Sequence, residues 1–231
     1  MFKNFWKHKI VLSLTIALFL LFIVLTALLK FVDVAAIGES ATNVGLSKIN
    51  SGIFNKIGTS DMFDSITDLI LIFSLLIVVF MFGFGCYKLF GEKKLDLTIV
   101  ILGGFYVLLL ILYVSFDHIH INYAPLLDEG NPKESYPSSH VLATLFVSLS
   151  AIMIVGNNIK NVKVKYALTI ILVLIALLMT IFRLLSGWHW FTDILGAEVL
   201  SMFLVSLYVL IFLSLEKKEI DLSKKDEKEL H

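Results

Sequence analysis

The chain alternates between six long uncharged segments and shorter polar ones. Runs without a charged side chain occupy residues 10–29, 69–87, 97–116, 141–159, 166–182 and 199–215. Each meets or approaches the roughly 20 residues that a helix needs to cross a hydrocarbon core about 30 Å thick. These runs largely lack the polar stripe that a helix on the surface of a soluble protein carries. The pattern predicts one all-α domain, a bundle of six transmembrane helices over about residues 10–30, 67–90, 97–116, 140–159, 165–183 and 194–215. Between the first two, Gly45-Leu46-Ser47-Lys48-Ile49-Asn50 and Ile53-Phe54-Asn55-Lys56-Ile57 have the spacing of a short amphipathic helix lying on the membrane interface. The tail, 216–231, is rich in Lys and Glu and predicts a solvated, partly helical end.

Composition agrees with a bilayer setting. The 231 residues are 58% hydrophobic and 16% charged with zero net charge, and mean hydropathy is +0.90. Such a chain is neither disordered nor an ordinary soluble domain, and its basic residues are too dispersed for nucleic acid. Lys3, Lys7 and Lys9 precede the first run as in a signal peptide. That run is longer than an h-region of about 7–15 residues and lacks a small-x-small cleavage site, so an uncleaved helix is expected. The single cysteine, Cys86, allows no internal disulfide and reads as a small apolar residue. Oligomeric state leaves no mark in the sequence.

Loop charge sets the expected orientation. Lys3, Lys7 and Lys9, then Lys88, Lys93 and Lys94, then Lys160, Lys163 and Lys165, then Lys217 and Lys218 fall on one side of the bundle. The other side carries Lys30, Lys48 and Lys56 over a long loop, Lys133, and Arg183. By the positive-inside rule both termini are cytoplasmic, in the plasma membrane, and the loops before the fourth and sixth helices face outward.

Those two outer loops hold the candidate chemistry. Ionisable side chains at the mouth of a membrane bundle are expensive, and function is their default reading. His189 and Asp193 are four apart at the start of the sixth helix and share a face. A carboxylate beside an imidazole orients the ring and stabilises its cation or a covalent adduct on the far nitrogen. Arg183 offers a planar cation suited to a phosphate dianion. Pro137-Ser138-Ser139 leads into His140, and the backbone N–H groups at that helix start form an anion cradle. All four features converge on a phosphoryl group.

Other polar residues have plainer readings. His8, His118, His120 and His231 are expected to cap or snorkel, and Trp188 and Trp190 to anchor the interfacial belt. Asp64 and Asp68 are read as compensating a helix N-terminal dipole rather than binding a cation. Glu198 is expected to be a buried hydrogen-bond partner.

Together these segments resemble the type 2 phosphatidic acid phosphatase (PAP2) family, whose pattern is K-x6-R-P, then P-S-G-H, then S-R-x5-H-x3-D. Pro137, Ser138 and His140 match the second part, with Ser139 in the glycine position; Arg183, His189 and Asp193 match the third, with Phe182 in the serine position. The resemblance covers about residues 62–215. It implies that His189 attacks phosphorus and forms a phosphohistidine, that Asp193 orients it, and that His140 protonates the leaving oxygen. Ser138, Ser139 and Arg183, with nearby backbone N–H groups, would hold the phosphoryl oxygens, with no metal and no cofactor.

The first part of the pattern departs. Its best alignment is Asp117-x6-Ala124-Pro125, which keeps the proline and lacks both cations, leaving Lys133 as the substitute. A charge-assisted hydrogen bond is worth about 1.5–3 kcal/mol, so the loss bears on rate. The expected activity is a membrane lipid phosphatase or diphosphatase with the substrate tail in the bilayer; undecaprenyl diphosphate, phosphatidate and phosphatidylglycerophosphate all suit such a site. The alternative is a catalytically weak or silent relative that binds lipid phosphates as a regulator or carrier. The intact pair His189 and Asp193 favours the enzyme, and Ala124 favours the binder.

Overall fold

In hydrocarbon a backbone N–H or C=O finds no water, so a crossing segment must pair its polar groups internally, as a helix does. The computed structural model describes residues 2–39, 41–93, 96–116 and 118–229. Asp117, aligned with the lysine of the family's first segment, lies outside the described residues, as do Lys94 and His231. In chain order the helices are α1 (Phe2–Phe31), α2 (Ser47–Ile57), α3 (Asp61–Cys86), α4 (Leu97–Phe116), α5 (Ser139–Asn158), α6 (Val162–Ser186) and α7 (Phe191–Glu229). Among the described residues, the six other than α2 are long and apolar enough to span a membrane, α3 continuing through a π-helical turn, Tyr87–Gly91. The protein is a multi-pass integral membrane protein. α3 starts at Asp61, several residues ahead of the expected start near 67, so Asp64 and Asp68 sit inside the helix.

Packing reverses the soluble pattern. Leu69, Ile72, Phe80 and Phe82 of α3 and Ile170, Leu174 and Leu177 of α6 are exposed, as suits helices whose outer solvent is lipid. The interior is centred on α5, which packs against α3, α6 and α7 while α1 lies along α7. Small and hydroxylated residues let these helices approach: Thr144, Ser148, Ser150 and Ala151 are buried. Ser201 Oγ donates to the Leu142 carbonyl at 3.0 Å, and Ser74 Oγ to Thr144 Oγ1 at 3.3 Å.

Two features hold the loops at the end of the bundle where α5 and α7 begin. A short antiparallel ribbon, β1 (Ala35–Ile37) and β2 (Thr42–Val44), precedes α2 and had no clear signature in the sequence. Asn50 of α2 donates to Thr192 Oγ1 and to the Gly45 carbonyl, both at 2.9 Å, and accepts from the Thr192 backbone N–H at 3.2 Å, which ties α2 to the first turn of α7. Ahead of α5, the Tyr136 ring lies on the α7 backbone: a Cβ on Gly196 would meet Tyr136 Cε2 at 2.3 Å, so a side chain there would have to displace the buried ring. Tyr136 Oη also meets Thr26 Oγ1 at 2.9 Å, and the Ser138 N–H donates to the Asp193 carbonyl at 3.1 Å. The α5 start and the α7 start are thereby locked to each other.

Candidate active site

His140, Arg183, His189, Ser139, Ala124 and Lys133 line one cavity of about 130 Å³ at the end of the bundle where α5 and α7 begin. They arrive on four supports. His140 sits in the first turn of α5 and Arg183 in the last turn of α6. His189 lies in the turn that joins α6 to α7. Gly187 makes that turn possible, because its φ of 77° is the left-handed conformation, and a Cβ there would meet the Gly58 carbonyl oxygen at 2.8 Å. Ala124 and Lys133 face each other across the loop between α4 and α5, the Ala124 N–H donating to the Lys133 carbonyl at 2.8 Å.

Local hydrogen bonds decide which nitrogen of His189 can react. Nδ1 is 3.0 Å from the Ser135 carbonyl oxygen, and a carbonyl only accepts, so Nδ1 carries the hydrogen. The lone pair is left on Nε2, 3.3 Å from Arg183 Nη2. Burial lowers the pKa of His189 below the ordinary imidazole value, and the positive charge of Arg183 lowers it further; Asp193 and the Ser135 carbonyl oppose part of this. The ring is therefore neutral at neutral pH, its Nε2 electron pair facing the Arg183 guanidinium.

Asp193 is placed differently from the sequence expectation. Its carboxylate is fully buried and stands 3.8 Å from His189 Nδ1, beyond hydrogen-bond distance. Oδ2 instead accepts from the Trp190 backbone N–H at 3.0 Å and Oδ1 from Asn122 Nδ2 at 3.2 Å. This is the backward reach of an acidic residue in the first turn to the residue that caps its helix. The direct hydrogen-bonding orienter of His189 is the Ser135 carbonyl; Asp193 acts on the ring through its charge.

Other expectations are also redrawn. Asp64 and Asp68 do more than compensate a dipole: Asp64 Oδ1 accepts from Arg183 Nη1 at 2.5 Å, and Asp68 Oδ1 is 2.9 Å from His140 Nε2. Their signal in the sequence was two carboxylates one turn apart beside an apolar run, which by itself names no partner. The ammonium of Lys133 is engaged by Asp128 Oδ2 at 2.8 Å rather than standing alone in the cavity. Trp190 is no belt anchor: it is 1% exposed, and its Nε1 donates to the Tyr123 carbonyl at 2.6 Å. Trp188 lines the cavity. Pro125 turns away from it into a neighbouring hollow beside Gly38 and Glu39. Ser138 is buried behind the cavity wall and Glu198 is half-buried on α7. His118 caps the end of α4 by bonding the Val114 carbonyl, whereas His120 pairs with the Glu134 carboxylate rather than capping.

Buried side-chain polar atoms normally have partners. Among the described residues four lack one, and three of these are Arg183 Nε, His140 Nδ1 and Ser138 Oγ. Among the described residues, unused hydrogen-bonding capacity is thus concentrated around this cavity. No group of three or more His, Cys, Asp or Glu side chains among the described residues is arranged to hold a metal ion.

Comparison with known proteins bears on the family and the fold. No curated protein matches the chain. Among solved structures, the crystal structure of the first transmembrane PAP2-type phosphatidylglycerolphosphate phosphatase, from Bacillus subtilis, is similar with a TM-score of 0.56 at 22% identity, over 87% of this chain and 96% of that one. At that identity the likeness is one of fold. The family model for the PAP2 superfamily matches residues 97–216, which include α4 to α7, His140, Arg183, His189 and Asp193. With just over half of its length matched, the chain belongs to the PAP2 superfamily and, at the level of that family, is an integral-membrane lipid phosphatase.

Proposed function

We propose that the protein removes a phosphate from a lipid phosphate or prenyl diphosphate at the outer leaflet, through a phosphohistidine on His189. One observation carries the reading: the lone-pair nitrogen of His189 lies beside Arg183 at a cavity where Arg183 Nε and His140 Nδ1 are buried without partners. Groups of this kind match the oxygens of a phosphoryl group and the oxygen that leaves it.

In the first step His189 Nε2 forms a bond to phosphorus as the bond to the leaving oxygen breaks, and protonated His140 gives that oxygen its proton. Arg183 balances the charge on the phosphoryl oxygens throughout. In the second step water attacks phosphorus, His140 takes the proton that water loses, and the P–N electron pair returns to Nε2. Orthophosphate leaves and both rings regain their starting states. The Asp193 carboxylate, 3.8 Å from Nδ1, favours the positive charge that His189 develops once Nε2 is phosphorylated.

The substrate tail lies in the bilayer. Tyr113 and Phe116, in the last turns of the membrane-spanning α4, form the apolar side of the cavity together with Leu142. Ser139 and the backbone N–H groups at the α5 start supplement Arg183 in holding the phosphoryl oxygens, and Ser138 supports that start from behind.

The test is phosphate release by the purified protein over phosphatidate, phosphatidylglycerophosphate and undecaprenyl diphosphate, with rapid quenching to trap the phosphoenzyme. Release that survives chelation, with an acid-labile phosphoenzyme abolished by His189→Ala, is the expected result. Undiminished turnover in His189→Ala, or a strict need for added divalent metal, would overturn the scheme. Phosphate binding without release would make the protein a binding relative.

A further inference from the structure

We infer that Asp64 and Asp68 of α3 are positioning residues for phosphoryl transfer: Asp68 sets the His140 ring so that Nδ1 gives the proton, and Asp64 sets the Arg183 guanidinium so that its Nε–Nη2 edge meets the phosphoryl oxygens. The inference rests on the phosphatase reading above. Both residues precede the segment matched by the family model, which begins at residue 97.

The two carboxylates are four residues apart, which places them on one face of α3 a single turn from each other. One turn of one helix thus serves two groups carried by two other helices. Dipole compensation accounts for little of this, since that effect fades beyond the first turn and Asp68 lies in the second.

The atoms engaged define the atoms left over. A carboxylate only accepts, so the 2.9 Å contact to Asp68 Oδ1 assigns a hydrogen to His140 Nε2. In the imidazolium both nitrogens carry hydrogen, and the one available to the leaving oxygen is on Nδ1, buried and without a partner in the protein. When Nδ1 has given its proton, the Nε2–H bond to Asp68 is unchanged. The ring keeps its orientation until Nδ1 takes a proton from the attacking water. The charged groups around His140 are Asp68 from α3, Arg183 from α6 and, when protonated, His189 from the turn that follows. Asp68 alone of these carries a negative charge.

Arg183 is handled the same way. Its Nη1 donates to Asp64 Oδ1 and, at 3.1 Å, to Thr67 Oγ1. Those bonds hold one end of a planar fork, and the opposite edge contains Nη2, next to His189 Nε2, and the unpartnered Nε. Two parallel N–H groups on that edge match two oxygens of a phosphoryl group.

The experiment compares two leaving groups: the alkyl phosphate of the lipid panel that the protein hydrolyses fastest, and 4-nitrophenyl phosphate, whose leaving oxygen needs no proton. Asp68→Asn should lower kcat/KM about 10-fold or more for the alkyl phosphate and less than about 3-fold for 4-nitrophenyl phosphate, because kcat/KM reports the step in which the leaving oxygen departs, and proton donation matters there only for the poor leaving group. The retained aryl activity shows that the variant is folded. In a His140→Ala background Asp68→Asn should have no further effect, since the two act as one unit. Asp64→Asn should lower kcat/KM by the same factor for both substrates, because Arg183 acts on the phosphoryl oxygens common to them. Equal losses on both substrates for Asp68→Asn, or a loss that multiplies with that of His140→Ala, would overturn the inference while leaving the phosphatase reading intact. No release from either substrate by the unmodified protein would overturn both.

Discussion

Installing a cation at Ala124 should make the protein a faster enzyme. Ala124 is 5% exposed, lines the cavity with Arg183, His140 and His189, and is held there by its backbone bond to Lys133. An arginine at this position would direct its guanidinium toward the phosphoryl group from the same loop as Lys133, whose ammonium is engaged by Asp128. A charge-assisted hydrogen bond contributes about 1.5–3 kcal/mol. Ordering a flexible arginine side chain costs up to about 2 kcal/mol. Because the charge matters most in the transition state, the favourable part is expected to win by about 1.4 kcal/mol, or about 10-fold in kcat/KM. Ala124→Lys should gain less, since an ammonium makes no bidentate contact. Ala124→Met is the control for bulk without charge and should lower activity by crowding the cavity. The assay is phosphate release by the four purified proteins, with thermal midpoints to confirm that each is folded. Equal rates for the unmodified protein and the arginine variant, with both folded, would show that this loop does not address the phosphate and that the alignment of Ala124-Pro125 with the family's first segment is wrong.

Two further outcomes follow from the same geometry. In a Cys86→Ala background, Asn131→Cys should react with an impermeant thiol reagent in intact cells and Lys163→Cys only after lysis, both positions being exposed; the reverse pattern would invert the orientation drawn from loop lysines. The folded-state pKa of His189 is lowered, so neutral Nε2 persists as pH falls through the ordinary imidazole range near 6.5. The acid limb of kcat/KM should accordingly lie below that range, and Asp193→Asn, which keeps an acceptor for the Trp190 N–H while removing the charge, should move it lower still. An acid limb at or above the ordinary imidazole value would contradict the burial that the structure assigns to this ring.

Much of this protein was written in one dimension. Hydrophobic runs of bilayer length determine six spanning helices because hydrocarbon leaves an unpaired backbone no other single-segment solution, and lysine asymmetry among short loops determines the expected orientation. The residue types and spacings around His140 and His189 were likewise legible, because a phosphoryl group demands cations, anion cradles and a nucleophile, and few other side chains suit the mouth of a bundle. Tertiary structure decided the partners. Spacing alone suggested that Asp193 would hold His189, but a carboxylate in the first turn of a helix has nearer obligations, to the Trp190 N–H and Asn122, and the ring turned to the Ser135 carbonyl. Asp64 and Asp68 lie more than 70 residues ahead of His140 and Arg183, and only the packing of α3 against α5 and α6 brings them within 2.9 Å of those side chains. Trp190 reads as an interfacial anchor in sequence because its ring is amphipathic, yet a carbonyl at 2.6 Å and the Phe54 ring make it a buried post between loops. A sequence determines which groups must leave water and which chemistry is present; which acceptor each donor finds depends on distances between segments that the chain itself does not carry.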